Sequence, residues 1–250
     1  VAITEQARDG RVDEDEARLL RDNCQMLWVV DPEHHLYSKL FEEPYLASLD
    51  AFLHAHAAEC IAHMPCPDCL ADFDALVRSE TERMAAALGC RHTADKVRAL
   101  MLDRLVEQRR RDICAMDNHG LPEMLRSLEY ATLRLMFKLF GQTPHGHECL
   151  CAGLQQYIVA TGQATIAHLQ SLASTQFHRE QCVELVRALL RLRTDMLSVL
   201  QVSFESSAAF AAAIAAAVRV LANDKNVPVA RFVSLYIDDV LASHAGASQA

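Results

Sequence analysis

MDNHGLPEMLRSLEYATLRLMFKLFGQTPHG, residues 116–146, is the stretch whose reading decides the fold. Leu128, Leu135, Met136, Leu139 and Phe140 recur at the spacing of one helix face, which predicts an amphipathic helix laid on a core. Gly141 is expected to close that helix, since glycine readily takes the left-handed conformation that satisfies terminal carbonyls. Thr143 and Pro144 then offer an N-cap hydroxyl and a first-turn proline for the next helix. Upstream, Asn118, His119 and Gly120 break the preceding helix, and 121–128 reads as a short helical piece. Several helices meet in this one stretch.

Working outward, the same logic fills the chain with helices. Asp13 and Glu16 form a capping pair for a helix running to about Val30, with Leu19, Leu20, Cys24, Leu27 and Trp28 on its buried side. Asp31 and Pro32 end it. Further helices are expected at about 44–61, 68–88 and 94–115, the last capped by Thr93, then at about 144–172 and 178–204. In the latter, Leu185, Leu189, Leu192, Met196 and Leu200 form a stripe bordered by Val186, Leu190 and Leu197. Apolar residues spread this widely mean packing against more than one neighbour, as in a stacked helical solenoid. The last helices fall at about 208–222 and 230–243, separated by Asn223, Asn226 and Pro228.

Composition agrees. At 250 residues and 51% hydrophobic, the chain can bury a large core, and only 8 Gly and 7 Pro interrupt it. No segment alternates as a strand would, and no linker rich in Gly, Pro or Ser divides the chain. A net charge of −9 disfavours nucleic acid, whose phosphates call for concentrated Lys and Arg. The longest apolar run, 208–218, falls short of the roughly 20 residues needed to span a bilayer. Nine Cys, an odd number, and no secretory h-region argue against a disulfide framework and for a reducing cytoplasmic or nuclear setting.

Candidate chemistry is sparse. Cys66-Pro67-Asp68-Cys69 is the sharpest motif: two thiols three apart at a helix start can share a metal or a disulfide, and the helix N-terminus lowers a thiol pKa. No second Cys pair follows, so a zinc site would need His54, His56 or His63 turned inward; incidental thiols at a polar helix start is the stronger reading. Cys149 and Cys151, near His145 and His147, form a second cluster. Cys149 and Cys151 diverge on a helix, whereas His147 and Cys151 can share a face, and buried core Cys is the commoner case. Arg109, Arg110 and Arg111, preceded by Arg104, make the only basic run, read as a solvated helix face rather than an anionic-partner site. Asp238 and Asp239 are adjacent, and adjacent helical residues do not face each other, so no shared-proton dyad is expected. No phosphate-binding loop, Gly-x-Ser-x-Gly or His-Glu-x-x-His occurs. No catalytic, cofactor-binding or metal-binding residue is assigned, and no enzyme activity is expected.

The order of these motifs resembles the N-terminal region of the cullin family, where a MENSGL…ML segment precedes MYKLF and a Pro-Gly corner. Here the counterparts are Met116-Asp117-Asn118-His119-Gly120-Leu121, Met124-Leu125, Met136-Phe137-Lys138-Leu139-Phe140 and Pro144-His145-Gly146. Phe41-Glu42-Glu43-Pro44-Tyr45-Leu46 upstream and Val233-Ser234-Leu235-Tyr236-Ile237-Asp238-Asp239 downstream agree in order. The wording is most similar to the cullin-three branch. The chain departs from the family at Glu205-Ser206-Ser207, where Asn-Asn-Asp is usual after Ser-Phe, and at Val240, where Lys is usual. The adaptor-docking first helices, the segment that grips the RING subunit and the winged helix bearing the modified Lys have no counterpart. A Val at position 1 fits a fragment, an incomplete gene model or a trimmed chain.

The resemblance implies an all-α, elongated stack of cullin repeats: 1–244 would run from the end of repeat one to near the end of repeat three, with 245–250 a frayed tail. It implies a non-catalytic stalk in a cullin-RING ubiquitin ligase, holding adaptor-bound substrate relative to the RING end in ubiquitin-dependent protein degradation. The implied partners are a BTB-type adaptor and a RING subunit, with neither nucleic acid nor membrane. The alternative is a stand-alone helical interaction module that has lost ligase assembly. A third reading is a thiol- or zinc-dependent protein built on Cys66, Cys69 and the nearby His residues.

Overall fold

A computed structural model describes residues 14–88, 91–172, 179–223 and 229–247, and every regular element among them is helical. The helices are α1 (Glu14–Val30), α2 (His35–Tyr37), α3 (Glu43–His63), α4 (Cys66–Leu88), α5 (Arg91–Leu102), α6 (Arg110–Cys114), α7 (Leu121–Arg126), α8 (Tyr130–Phe140), α9 (Gly146–Leu172), α10 (Arg179–Val202), α11 (Ala208–Ala222) and α12 (Val229–Ala247). Two π-helical turns, Ser38–Glu42 and Asp103–Glu107, join α2 to α3 and follow α5. The chain forms two compact units, one from residues 1–120 and 138–147, the other from 121–137 and 148–250.

The core of the first unit is a stripe with a four-residue repeat. Tyr37, Phe41, Tyr45, Leu49, Leu53, Ala57 and Cys60 are all buried, and they run from α2 through the π turn along α3. Residues four apart are neighbours on a helix but drift by about 40° per step against its 3.6-residue turn, so this stripe winds around α3 and meets both α4 and α5. Across it lie Leu70, Phe73, Val77 and Met84 of α4 and Val97 and Met101 of α5. The aromatic ladder Trp28–Tyr37–Phe41–Tyr45 closes one end, with centroid spacings of 5.3, 5.5 and 5.8 Å.

Two π turns interrupt the helical run, and the second explains why the single helix expected over 94–115 is found broken. Each inserts one residue, so two successive side chains face inward: Phe41 with Glu42, and Leu105 with Val106. In the second, the Gln108 amide donates to the Asp103 carbonyl at 2.9 Å, and the helix expected over 94–115 is divided in three. In the first, the added residue carries Glu42 toward α5. There Thr93, expected to cap α5, lies inside it, and its buried hydroxyl donates to the Glu42 carboxylate at 2.9 Å.

Both corners of the 116–146 stretch rest on glycine. A Cβ on Gly120 would sit 2.3 Å from the Met116 carbonyl oxygen, and one on Gly146 would sit 2.2 Å from that of Phe140. Gly146, not Gly141, is thus the glycine the second corner requires. The last carbonyls of α8 are taken by Gln142 and Thr143: the Gln142 side chain donates to the Lys138 carbonyl, and the Thr143 amide and hydroxyl both donate to that of Phe140. Thr143 therefore closes α8 instead of capping α9, which begins at Gly146. Leu128 lies outside α8, in the left-handed conformation at φ 56°.

The second unit is built on α10, which packs against α11 and α12. One cluster joins Ile166, Cys182, Leu185, Val186 and Phe232, with Leu189, Leu235 and Tyr236 against it. Another stacks Phe137, Phe204 and Phe210, with Phe204 and Phe210 centroids 4.5 Å apart. The α10 stripe is buried at Leu185, Met196 and Leu200, half-buried at Leu189 and Leu192, and Leu190 faces outward. On α1 the expected face is buried only at Cys24, while Leu19 is exposed. The Asp13–Glu16 capping pair lies outside the described residues. Helix α11 takes the expected bounds, and α12 runs to Ala247.

Candidate functional site

Helices α3 and α4 bring three side chains of different chemistry to one point. His56 and Cys60 are four apart on α3 and so share a face, and Asp72 reaches them from α4. The His56 Nε2 lies 2.6 Å from Asp72 Oδ2 and 3.5 Å from Cys60 Sγ, and Cys60 Sγ lies 3.8 Å from the same carboxylate oxygen. Among the described residues this is the one group of three His, Cys, Asp or Glu donors gathered within 4.8 Å. Phe52 stacks on the imidazole at 5.3 Å and Phe73 tilts against it at 6.4 Å, which fixes the ring plane.

The Cys60 side chain is buried, while His56 and Asp72 reach solvent at 25% and 37% exposure. Burial first, and then the Asp72 carboxylate, push the Cys60 thiol up to about 11. The thiol is therefore protonated at neutral pH. Both Cys60 and Asp72 address one ring nitrogen, so the arrangement is not a relay in which a carboxylate orients a base toward a nucleophile.

The Cys66–Cys69 pair is packed into the core, where a polar helix start with incidental thiols was the stronger reading. Both thiols are buried: the Cys66 amide donates to the Asn118 carbonyl at 3.0 Å and its Sγ to that of Ile113 at 3.7 Å, which ties the start of α4 to the 113–118 corner. Burial, with the neighbouring Cys60, Cys66 and Asp72, pushes the Cys69 thiol up to about 12. Desolvation thus outweighs the helix N-terminus, which alone would lower it. His56 turns inward as a ligand would, whereas His54 and His63 are exposed. Cys60 and Asp72 were missed, although the four-residue spacing of His56 and Cys60 was readable.

The remaining candidates are spread out or neutralised. His145 is taken by Glu107, through its ring at 2.8 Å and its amide at 3.2 Å. Cys149 and Cys151 are half-buried on α9, and burial raises the Cys151 thiol. Of the basic run, Arg104 pairs with Asp50 and Asp103, Arg109 with Asp112 at 3.7 Å and Arg110 with Glu107 at 2.9 Å. Asp239 accepts from Arg187 at 2.9 Å, and Asp238 is exposed. No helix among the described residues is long and apolar enough to cross a membrane.

Comparison with known proteins bears on the whole architecture. Residues 1–249 match the family model "Cullin alpha solenoid domain". The chain is 24% identical to Cullin-3A of Arabidopsis thaliana over 89% of its own length and 29% of that protein's. It is similar at 22% identity to Cullin-3 of Dictyostelium discoideum, over 96% of this chain and 30% of that one, and at 23% to Cullin-3B of Arabidopsis thaliana, over 89% and 29%. The chain therefore spans about 30% of the length of the curated relatives it matches. An all-helical architecture and a solenoid match over nearly every residue lead to one conclusion: this chain belongs to the cullin family.

Proposed function

We propose that the chain is the stalk of a cullin-RING ubiquitin ligase, a scaffold segment that does no chemistry itself. The observation that carries the reading is the cullin solenoid match over residues 1–249. In this role the core stripes do the work: they set the distance between an adaptor-bound substrate and the RING-recruited conjugating enzyme. Holding the two on one framework raises the effective concentration of a substrate lysine near activated ubiquitin. On this reading 1–244 runs from the end of repeat one to near the end of repeat three. Its assembly with a BTB-type adaptor and a RING subunit takes place in the cytoplasm or nucleus, through parts of the full protein beyond these repeats.

The size of the endogenous polypeptide tests this. An antibody raised against the chain, used on a denaturing blot of the source cells, should detect a band far larger than 27.8 kDa. A band near 27.8 kDa would overturn the ligase reading in favour of a stand-alone interaction module.

A further inference from the structure

We propose that His56, Cys60 and Asp72 form a zinc-binding site, with Nε2, Sγ and Oδ2 as three protein ligands and a water at the fourth position. Three observations converge on it. The donors are the nitrogen, thiolate and carboxylate types that zinc takes, drawn from two helices already locked together by the core. Their spacing fits. Zinc bonds of about 2.3 Å to sulfur and 2.0–2.1 Å to nitrogen and oxygen, at tetrahedral angles, place donors roughly 3.3–3.6 Å apart. The sulfur stands 3.5 Å from the nitrogen, inside that range, and 3.8 Å from the oxygen, about 0.2 Å beyond it. Only the nitrogen–oxygen pair, hydrogen-bonded at 2.6 Å, has to open, by about 0.7 Å on the same tetrahedral estimate.

The third observation is access. Cys60 closes the inner end of the site, and His56 and Asp72 line an outer side open to solvent, so an ion can enter and keep one water. The stacked Phe52 ring holds the imidazole in the plane that points Nε2 at the shared locus. On binding, the zinc–sulfur bond forms as the Cys60 thiol gives its proton to bulk water, and Nε2 gives up the proton it shares with Asp72, leaving the ring's remaining N–H on Nδ1 and the Nε2 lone pair for the metal. The metal would clip α3 to α4 across a connection of two residues. Cys66 and Cys69 are left as core thiols, a division of labour opposite to the one the Cys-x-x-Cys spacing suggests.

The test uses the chain stripped of metal under reducing conditions and titrated with Zn²⁺ against a chromophoric chelator, then with Co²⁺. One Zn²⁺ per chain is expected, with a near-ultraviolet thiolate-to-cobalt band. Cys60→Ser should abolish that band, His56→Gln and Asp72→Asn should each weaken zinc at least roughly tenfold, and Cys69→Ser should leave stoichiometry and band intact. Circular dichroism of each variant establishes that it remains helical. No zinc above the His56→Gln/Cys60→Ser/Asp72→Asn background, or a cobalt band that survives Cys60→Ser and vanishes with Cys69→Ser, would overturn the site.

Discussion

Glu42 and Lys96, fifty-four residues apart, meet at 2.8 Å, and the carboxylate at their meeting point is 4% exposed. Thr93 donates to the other oxygen of Glu42, and its hydroxyl lies 3.0 Å from that of Tyr37. A buried acid is tolerated only when its oxygens are satisfied, and here one residue of α5 supplies charge and another a hydroxyl. Burial pushes the Glu42 carboxyl up, but the Lys96 and Thr93 hydrogen bonds, with the charge of Lys96, hold it below the usual carboxylate range. Because the folded value lies below the unfolded one, this stabilisation is present above the unfolded pKa and is lost as pH falls through the folded value. Glu42→Gln should cost about 1 kcal/mol at neutral pH, a figure reduced by the partial exposure of Lys96, and should flatten the acid limb of the stability curve. Urea unfolding from pH 7 down to pH 3 measures both, and an unchanged acid limb would contradict the account.

Glu205 and Ser206 occupy the left-handed region at φ 50° and 54°, between α10 and α11. The Ser206 amide reaches back six residues to the Leu200 carbonyl at 3.0 Å and so satisfies one of the last carbonyls of α10. The cullin pattern has Asn-Asn here, the residues other than glycine that best tolerate this conformation. Asn at each position should stabilise the chain by about 0.5 kcal/mol. Ser207 precedes α11 without a side-chain cap hydrogen bond, so Ser207→Asp should add a similar increment. Thermal unfolding of the triple variant should show a raised midpoint, and a lowered one would mean that these side chains hold the corner in some other way.

Phe204 and Phe210 are essentially inaccessible to solvent, in a cluster with Phe137. Phe210→Ala should cost about 3–5 kcal/mol, because it removes transfer energy and leaves a cavity between aromatic rings. Phe210→Leu should recover more than half of that loss. A loss below about 1 kcal/mol in equilibrium unfolding would show that the cluster collapses around the gap.

Gly120→Ala and Gly146→Ala place a methyl group on backbone carbonyls that cannot rotate away. Each should destabilise by about 1–3 kcal/mol, with little change in the helix content of the surviving folded protein. Gly141→Ala, on the exposed side of the same corner, should stay within about 0.5 kcal/mol, and urea midpoints of the three variants rank them.

Boundaries set by backbone chemistry were legible before the fold was seen. Asp31 and Pro32 end α1 after Val30 because proline cannot continue the ladder, and α11 took its expected bounds between Ser207 and Asn223. The π turns were not legible, since one inserted residue shifts the apolar period by less than a short window resolves. Thr93 and Thr143 misled for a related reason. A hydroxyl that suits an N-cap suits a buried carboxylate or a helix-closing carbonyl equally well, and only the tertiary partner decides. At the candidate site the Cys-x-x-Cys spacing drew attention to thiols that burial makes inert, while Asp72 joins His56 and Cys60 through helix packing that no local spacing encodes.

The most direct test of the scaffold role is immunoprecipitation of the endogenous protein, followed by ubiquitin transfer with added activating enzyme, conjugating enzyme and ubiquitin. The account predicts that a RING subunit and BTB-domain proteins come down with it and that the precipitate builds ubiquitin chains. A precipitate lacking a RING subunit and supporting no transfer would contradict it.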